Sequence, residues 1–143
     1  MIQRIQTLFL IAVALVALLL LFIPFQVAND ANTFGINLLS GFHSPTITSN
    51  IYVPLVLAFA IIGLAVFTIL KFKNRILQYK LSNVLMLLNI ILLAVFFLLN
   101  FYQGAVSFSF GAFLPVLGIA FSFLAAHFIK KDEQLVRSAD RIR

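Results

Sequence analysis

Every lysine and arginine of this chain lies outside four long apolar runs, and always on alternate connections between them. The runs cover about residues 7–25, 51–70, 81–99 and 110–129, and none contains Asp, Glu, Lys or Arg. At a rise of 1.5 Å per residue, even the shortest run covers about 28 Å, close to the hydrocarbon thickness of a bilayer. The basic residues are Arg4 before the first run, then Lys71, Lys73, Arg75 and Lys80 between the second and third, then Lys130, Lys131, Arg137, Arg141 and Arg143 after the fourth. The connections 26–50 and 100–109 hold none. Lys and Arg favour the cytoplasmic side. The pattern therefore predicts an all-α membrane protein, a four-transmembrane-helix bundle with both termini cytoplasmic.

Composition agrees. Of 143 residues, 63 % are hydrophobic and 10 % charged, against roughly 45–50 % and ~25 % in soluble domains. One multi-pass domain accounts for the whole length. The net charge of +6 is explained by membrane orientation, so nucleic acid is not expected as a partner. Cys is absent, which excludes disulfides, thiolate metal sites and Cys nucleophiles. The first run is longer than the apolar core of a signal peptide, and Gln26-Val27-Ala28 is a poor cleavage site, so it reads as an uncleaved helix.

The connections differ in character. Residues 26–50 form a long outer loop with turn residues such as Asn29, Asp30, Gly35 and Pro45. The loop also holds Phe34, Ile36, Leu38, Leu39 and Phe42, too apolar for a free linker, so it should fold back on the bundle or the membrane surface, through a short strand or helix. The cytoplasmic turn 71–80 is basic. From Leu64 to Gln103 there is no Gly and no Pro, so helices should run past the inner surface to a tight turn near Asn74. Pro24, Pro45, Pro54 and Pro115 all fall in the outer half. Pro24 marks the end of the first helix, and Pro115 predicts a kink early in the fourth. Tyr52, Tyr79 and Tyr102 fall at predicted interfaces.

Few side chains offer chemistry. Proton relays and coupled transporters keep ionisable groups in the membrane, and here the spans have none. A small multidrug exporter needs such a carboxylate, and a dual-topology fluoride channel would not show this charge bias. His43 and His127 are a membrane thickness apart and read as loop and interfacial residues. No catalytic, cofactor-binding or metal-binding residue is expected. Asn89 lies mid-membrane, where an unpaired amide is costly, with Asn100 three turns on along the same face. An interhelical hydrogen bond is the favoured reading, and a polar path with Ser122 the alternative. Gly111, Gly118, Ser122 and Ala126 form a small-residue stripe that lets another helix approach closely. The seventeen Phe supply lipid-facing and packing bulk. In the tail 130–143, Leu135, Ala139 and Ile142 share a face, and Glu133 can pair with Arg137. This predicts a short amphipathic helix at anionic headgroups.

Three segments carry a resemblance: Met1–Thr7 (MIQRIQT), Phe72–Gln78 (FKNRILQ) and Lys131–Arg143 (KDEQLVRSADRIR). With them the chain resembles a bacterial family of small four-helix inner-membrane proteins classed only as a domain of unknown function. Ile142 stands where Leu is expected. The resemblance implies fold and location, and no activity, substrate or cofactor.

The sequence thus favours a non-enzymatic structural or accessory component that packs against membrane partners, whether another membrane protein or further copies of itself. The alternative is a small permeation or lipid-handling protein with a polar path near Asn89 and Ser122. An enzyme is least expected, because no acid/base pair converges anywhere.

Overall fold

The computed structural model of the chain describes residues 3–24, 26–28, 52–72, 74–103 and 106–140. Four helices dominate them: α1 (Gln3–Phe22), α2 (Tyr52–Leu70), α3 (Arg75–Gln103) and α4 (Leu114–Asp140). All four are long and apolar enough to cross a membrane. In lipid a spanning segment must satisfy its own backbone polar groups, which a helix does. Pro54 and Pro115 lie in the first turns of α2 and α4, where the missing N–H costs little. Ahead of Pro115 the chain makes a short 3-10 turn, Phe110–Phe113, so the irregularity predicted there sits before the proline as a change of helix type.

Two helices are longer than the predicted spans. α3 begins at Arg75, and the turn shrinks to Lys71–Asn74. Asn74 sets this boundary: its carbonyl accepts from Gln78 N at 2.9 Å and its side-chain Oδ1 from Leu77 N at 3.2 Å. It thereby satisfies donors that a helix start leaves open. At the other end α4 continues to Asp140. The first part of the tail is an extension of the fourth span, with no break between them.

The helices form a ring. α1 packs on α2 and α4, and α3 packs on α2 and α4. Each turns inward a stripe spaced alternately by three and four residues. On α1 it is Gln6, Leu10, Val13, Ala17 and Leu20; on α2 Pro54, Ala58, Ile61, Ala65 and Thr68. On α3 it is Gln78, Ser82, Leu85, Asn89, Leu92, Phe96 and Leu99; on α4 Gly118, Ser122, Ala125, Ile129 and Asp132. This 3.5-residue period is that of left-handed helix packing. Bulk and small residues alternate around the ring: Leu and Phe from α1 and α3 fill the centre, while Ala, Gly and Ser on α2 and α4 let backbones approach.

A two-stranded antiparallel ribbon is an addition to the expected all-α fold. β1 (Gln26–Ala28) pairs with β2 (Val106–Phe108), with Val27 opposite Ser107. The ribbon joins the two connections that lack basic residues and marks one end of the bundle. Next to it, Gly111 N donates to Pro24 O at 3.0 Å. A Cβ on Gly111 would collide with the Pro24 carbonyl oxygen and lie 2.8 Å from its carbon. Glycine is therefore what brings the start of α4 against the end of α1. The outer-loop residues 29–51, with His43, lie outside the described residues.

Candidate functional site

The opposite, basic end holds most of the polarity that the described residues bury. Three contacts build it. Gln6, buried near the start of α1, donates its Nε2 to the Phe128 carbonyl of α4 at 3.1 Å. Arg75, the first residue of α3, places Nη1 3.0 Å from Oδ2 of Asp132 on α4. Ser82 Oγ, one turn beyond Gln78, donates to the Gln78 carbonyl at 2.9 Å. The first two tie α4 to α1 and to α3. The Arg75–Asp132 atoms are close but have no aligned hydrogen-bond partner, so the contact is a Coulombic pair more than a directed bond. Asp132 is 10 % exposed at its side chain and Arg75 28 %. The carboxylate is thus held inside and the guanidinium straddles the surface.

Beside this cluster a groove of about 370 Å³ opens between the start of α1 and the α2–α3 turn. Leu8, Ile11 and Phe72 form its apolar wall, and Gln6, Gln78 and Arg75 its polar end. A second cleft of about 440 Å³ lies along one face of α4, lined by His127, Lys130, Lys131 and Gln134. His127 stacks on Phe123 (6.5 Å between ring centroids) and meets Phe128 edge-on at 5.8 Å. It is exposed beside Lys130, as an interfacial residue would be. Lys71 sits over the Phe67 ring at 5.4 Å, a cation–π contact at the membrane edge. Among the described residues no three His, Asp or Glu converge to hold a metal.

Five of the ten basic residues have described side chains. Lys71, Lys80, Lys130 and Lys131 are exposed, while Arg75 turns to Asp132. The side chains of Arg4 and Arg137, and the whole of Lys73, Arg141 and Arg143, lie outside the described residues. So does the arginine half of the expected Glu133–Arg137 pair. Asp132 escaped the sequence reading, which placed it in a solvated tail. Its signal was available: the inward stripe of α4 runs 118, 122, 125, 129, 132, and continuing that period past the apolar run reaches it.

Mid-membrane, Asn89 and Gly118 meet. A Cβ on Gly118 would collide with Asn89 Oδ1 and lie 2.8 Å from Asn89 Cγ. Asn89 donates Nδ2 to Leu85 O of its own helix at 2.9 Å. One amide N–H is therefore bonded within α3, and the side chain packs against Gly118 of α4. Nearer the basic end, in the last turn of α2, Thr68 donates to Leu64 O of its own helix at 2.6 Å. Ser122 is fully buried, and its Oγ has no hydrogen-bond partner. Ala126 is buried beside it. Gly111 belongs to a different contact, the one with Pro24. The side chain of Asn100 lies outside the described residues.

The sequence of residues 2–142 matches the family model described as Domain of unknown function (DUF4293). The chain belongs to that family. No match was found among curated proteins or among solved structures.

Proposed function

With family membership as the premise, we propose that the protein is a non-enzymatic structural or accessory component of a bacterial cytoplasmic membrane. Both termini and the Lys71–Asn74 turn face the cytoplasm, following the basic residues. It acts by packing against a membrane partner, another protein or further copies of itself, with its basic end against anionic headgroups. The observation that carries this reading is where the mid-membrane polar groups go. Asn89 bonds a carbonyl of its own helix, and Asn89 and Ser122 are 2 % and 0 % exposed. Along α2 the outward side chains are apolar: Val56, Phe59, Val66 and Phe67 are exposed, and the space beside Gly63 is open. A permeation path would need Asn89 and Ser122 on an open lumen, whereas both are buried and Asn89 packs against Gly118.

Extraction in a mild detergent, pull-down and native mass measurement test this reading. A stoichiometric partner or a defined oligomer is expected. A clean monomer without a partner, together with liposome flux that vanishes on Asn89→Leu, would overturn it in favour of permeation. For topology, a reporter fused after Arg143 should read cytoplasmic; a periplasmic signal would sink the orientation.

A further inference from the structure

We propose that the groove beneath the α2–α3 turn binds one anionic phospholipid, with its phosphate on Arg75 and an acyl chain along Leu8 and Ile11. This stands independently of the accessory role. The groove is amphipathic along the direction in which a lipid is amphipathic. Its polar end is made by Arg75, Gln78 and Gln6, all at helix ends on the basic side of the bundle. From there α1 leads into the membrane, and Ile11 lies about 4.5 Å deeper than Leu8 along the helix axis. Both are exposed, Leu8 at 64 % and Ile11 at 46 %. They form an apolar wall at the depth where acyl chains begin.

Arg75 supplies the charge recognition. A guanidinium carries five N–H donors in a planar fork. Asp132 meets it through Nη1, and more than a quarter of the side chain stays accessible. The open part of the fork suits phosphate oxygens, which it can bind in bidentate fashion. Among the described residues no carboxylate lines the groove, and Asp132, the partner of Arg75, is buried, whereas exposed Lys71 directly precedes Phe72 of the groove wall. The field there is positive and complements an anion. A soluble phosphate would leave the apolar wall uncovered, while a phospholipid covers it with methylenes. The same contact would seat the lipid against α1, the turn and α3 together.

The test is native mass spectrometry of the full chain in mild detergent, titrated with phosphatidylglycerol or phosphatidylcholine. One phosphatidylglycerol per chain should be retained, with about fivefold preference over the zwitterionic lipid. Arg75→Gln with Asp132→Asn removes both charges without orphaning the carboxylate and should weaken binding about tenfold. Leu8→Trp, at an exposed position away from the ion pair, should also weaken it by filling the apolar wall. Lys130→Gln and Lys131→Gln, on the other cleft, should leave it unchanged. Equal retention of both lipids overturns the proposal. So does equal loss in the Lys130→Gln control, or competition by glycerophosphate as effective as by the lipid. Unchanged binding in Leu8→Trp overturns it even if the double variant fails to fold. So does a co-purified protein that occupies the groove.

Discussion

The two ends of the bundle are closed by different materials. At the ribbon end the contacts are made by backbone: β1 pairs with β2, and Gly111 N meets the Pro24 carbonyl. At the basic end they are made by long side chains, Gln6 on the Phe128 carbonyl and Arg75 on Asp132. Backbone contacts are tight and tolerate no added atom. Side-chain contacts span a gap and leave room, and the groove lies beside them. One end is thus built to be shut, and the other keeps space and unused donors.

The strongest way to break this contrast is Gly111→Ala. The new methyl group would meet the backbone of Pro24 and Ile23, with Ile23 O at 3.0 Å. No side-chain rotation relieves that clash. A loss of about 3 kcal/mol is expected, at the top of the range for overpacking, read as a lower unfolding midpoint in detergent. Gly118→Ala sharpens the point from the middle of the bundle. There the obstacle is the Asn89 side chain, so the cost should be about 1–2 kcal/mol, partly offset by the helix preference of Ala. Asn89→Ala in the same chain should recover most of it, whereas no side-chain truncation in α1 rescues Gly111→Ala. Additive effects of the two changes at the seam would show that they do not touch.

At the basic end the effects shrink. Asp132→Ala leaves Arg75 without its partner, but Arg75 is partly exposed and can turn to water. The expected loss is about 1 kcal/mol, reduced at high salt. A loss as large as that of Gly111→Ala would mean that the pair is sealed from solvent, and that the two ends are alike after all.

The same contrast governs what could be read from the sequence. Span number and the segregation of basic residues were legible because membrane thickness and lipid insolubility of charge act on composition alone. Which face of each helix points inward was not legible from hydrophobicity, since Leu8 faces out and Leu10 faces in with the same side chain. The buried polar residues carry that information: Gln6, Thr68, Gln78, Ser82, Asn89, Ser122 and Asp132 all lie on inward stripes. Asn89 was singled out as a mid-membrane amide and Gly118 as part of a small-residue stripe, and the structure brings them together. A short strand was one of the forms expected for residues 26–50, but its partner was hidden, because three-residue strands leave no period and the pairing of residues some eighty positions apart leaves no local trace. Arg75 and Asp132 were assigned to solvated segments, although both fall where the inward period of their helices continues past the apolar run.

Gln6→Leu should be the mildest change and is the most informative about the basic end. The Phe128 carbonyl has two lone pairs, so it loses one donor without becoming an unpaired group if its helical bond persists. The lost hydrogen bond contributes about 1 kcal/mol, and burying Leu in place of an amide returns part of that. A net shift of about 0.5 kcal/mol or less is expected in the unfolding midpoint. Lipid retention should fall only slightly, because the arginine fork remains. If the variant instead unfolds as readily as Gly111→Ala, the Gln6 contact is what holds α1 to α4. Side chains at the basic end would then be as indispensable as backbone is at the ribbon end.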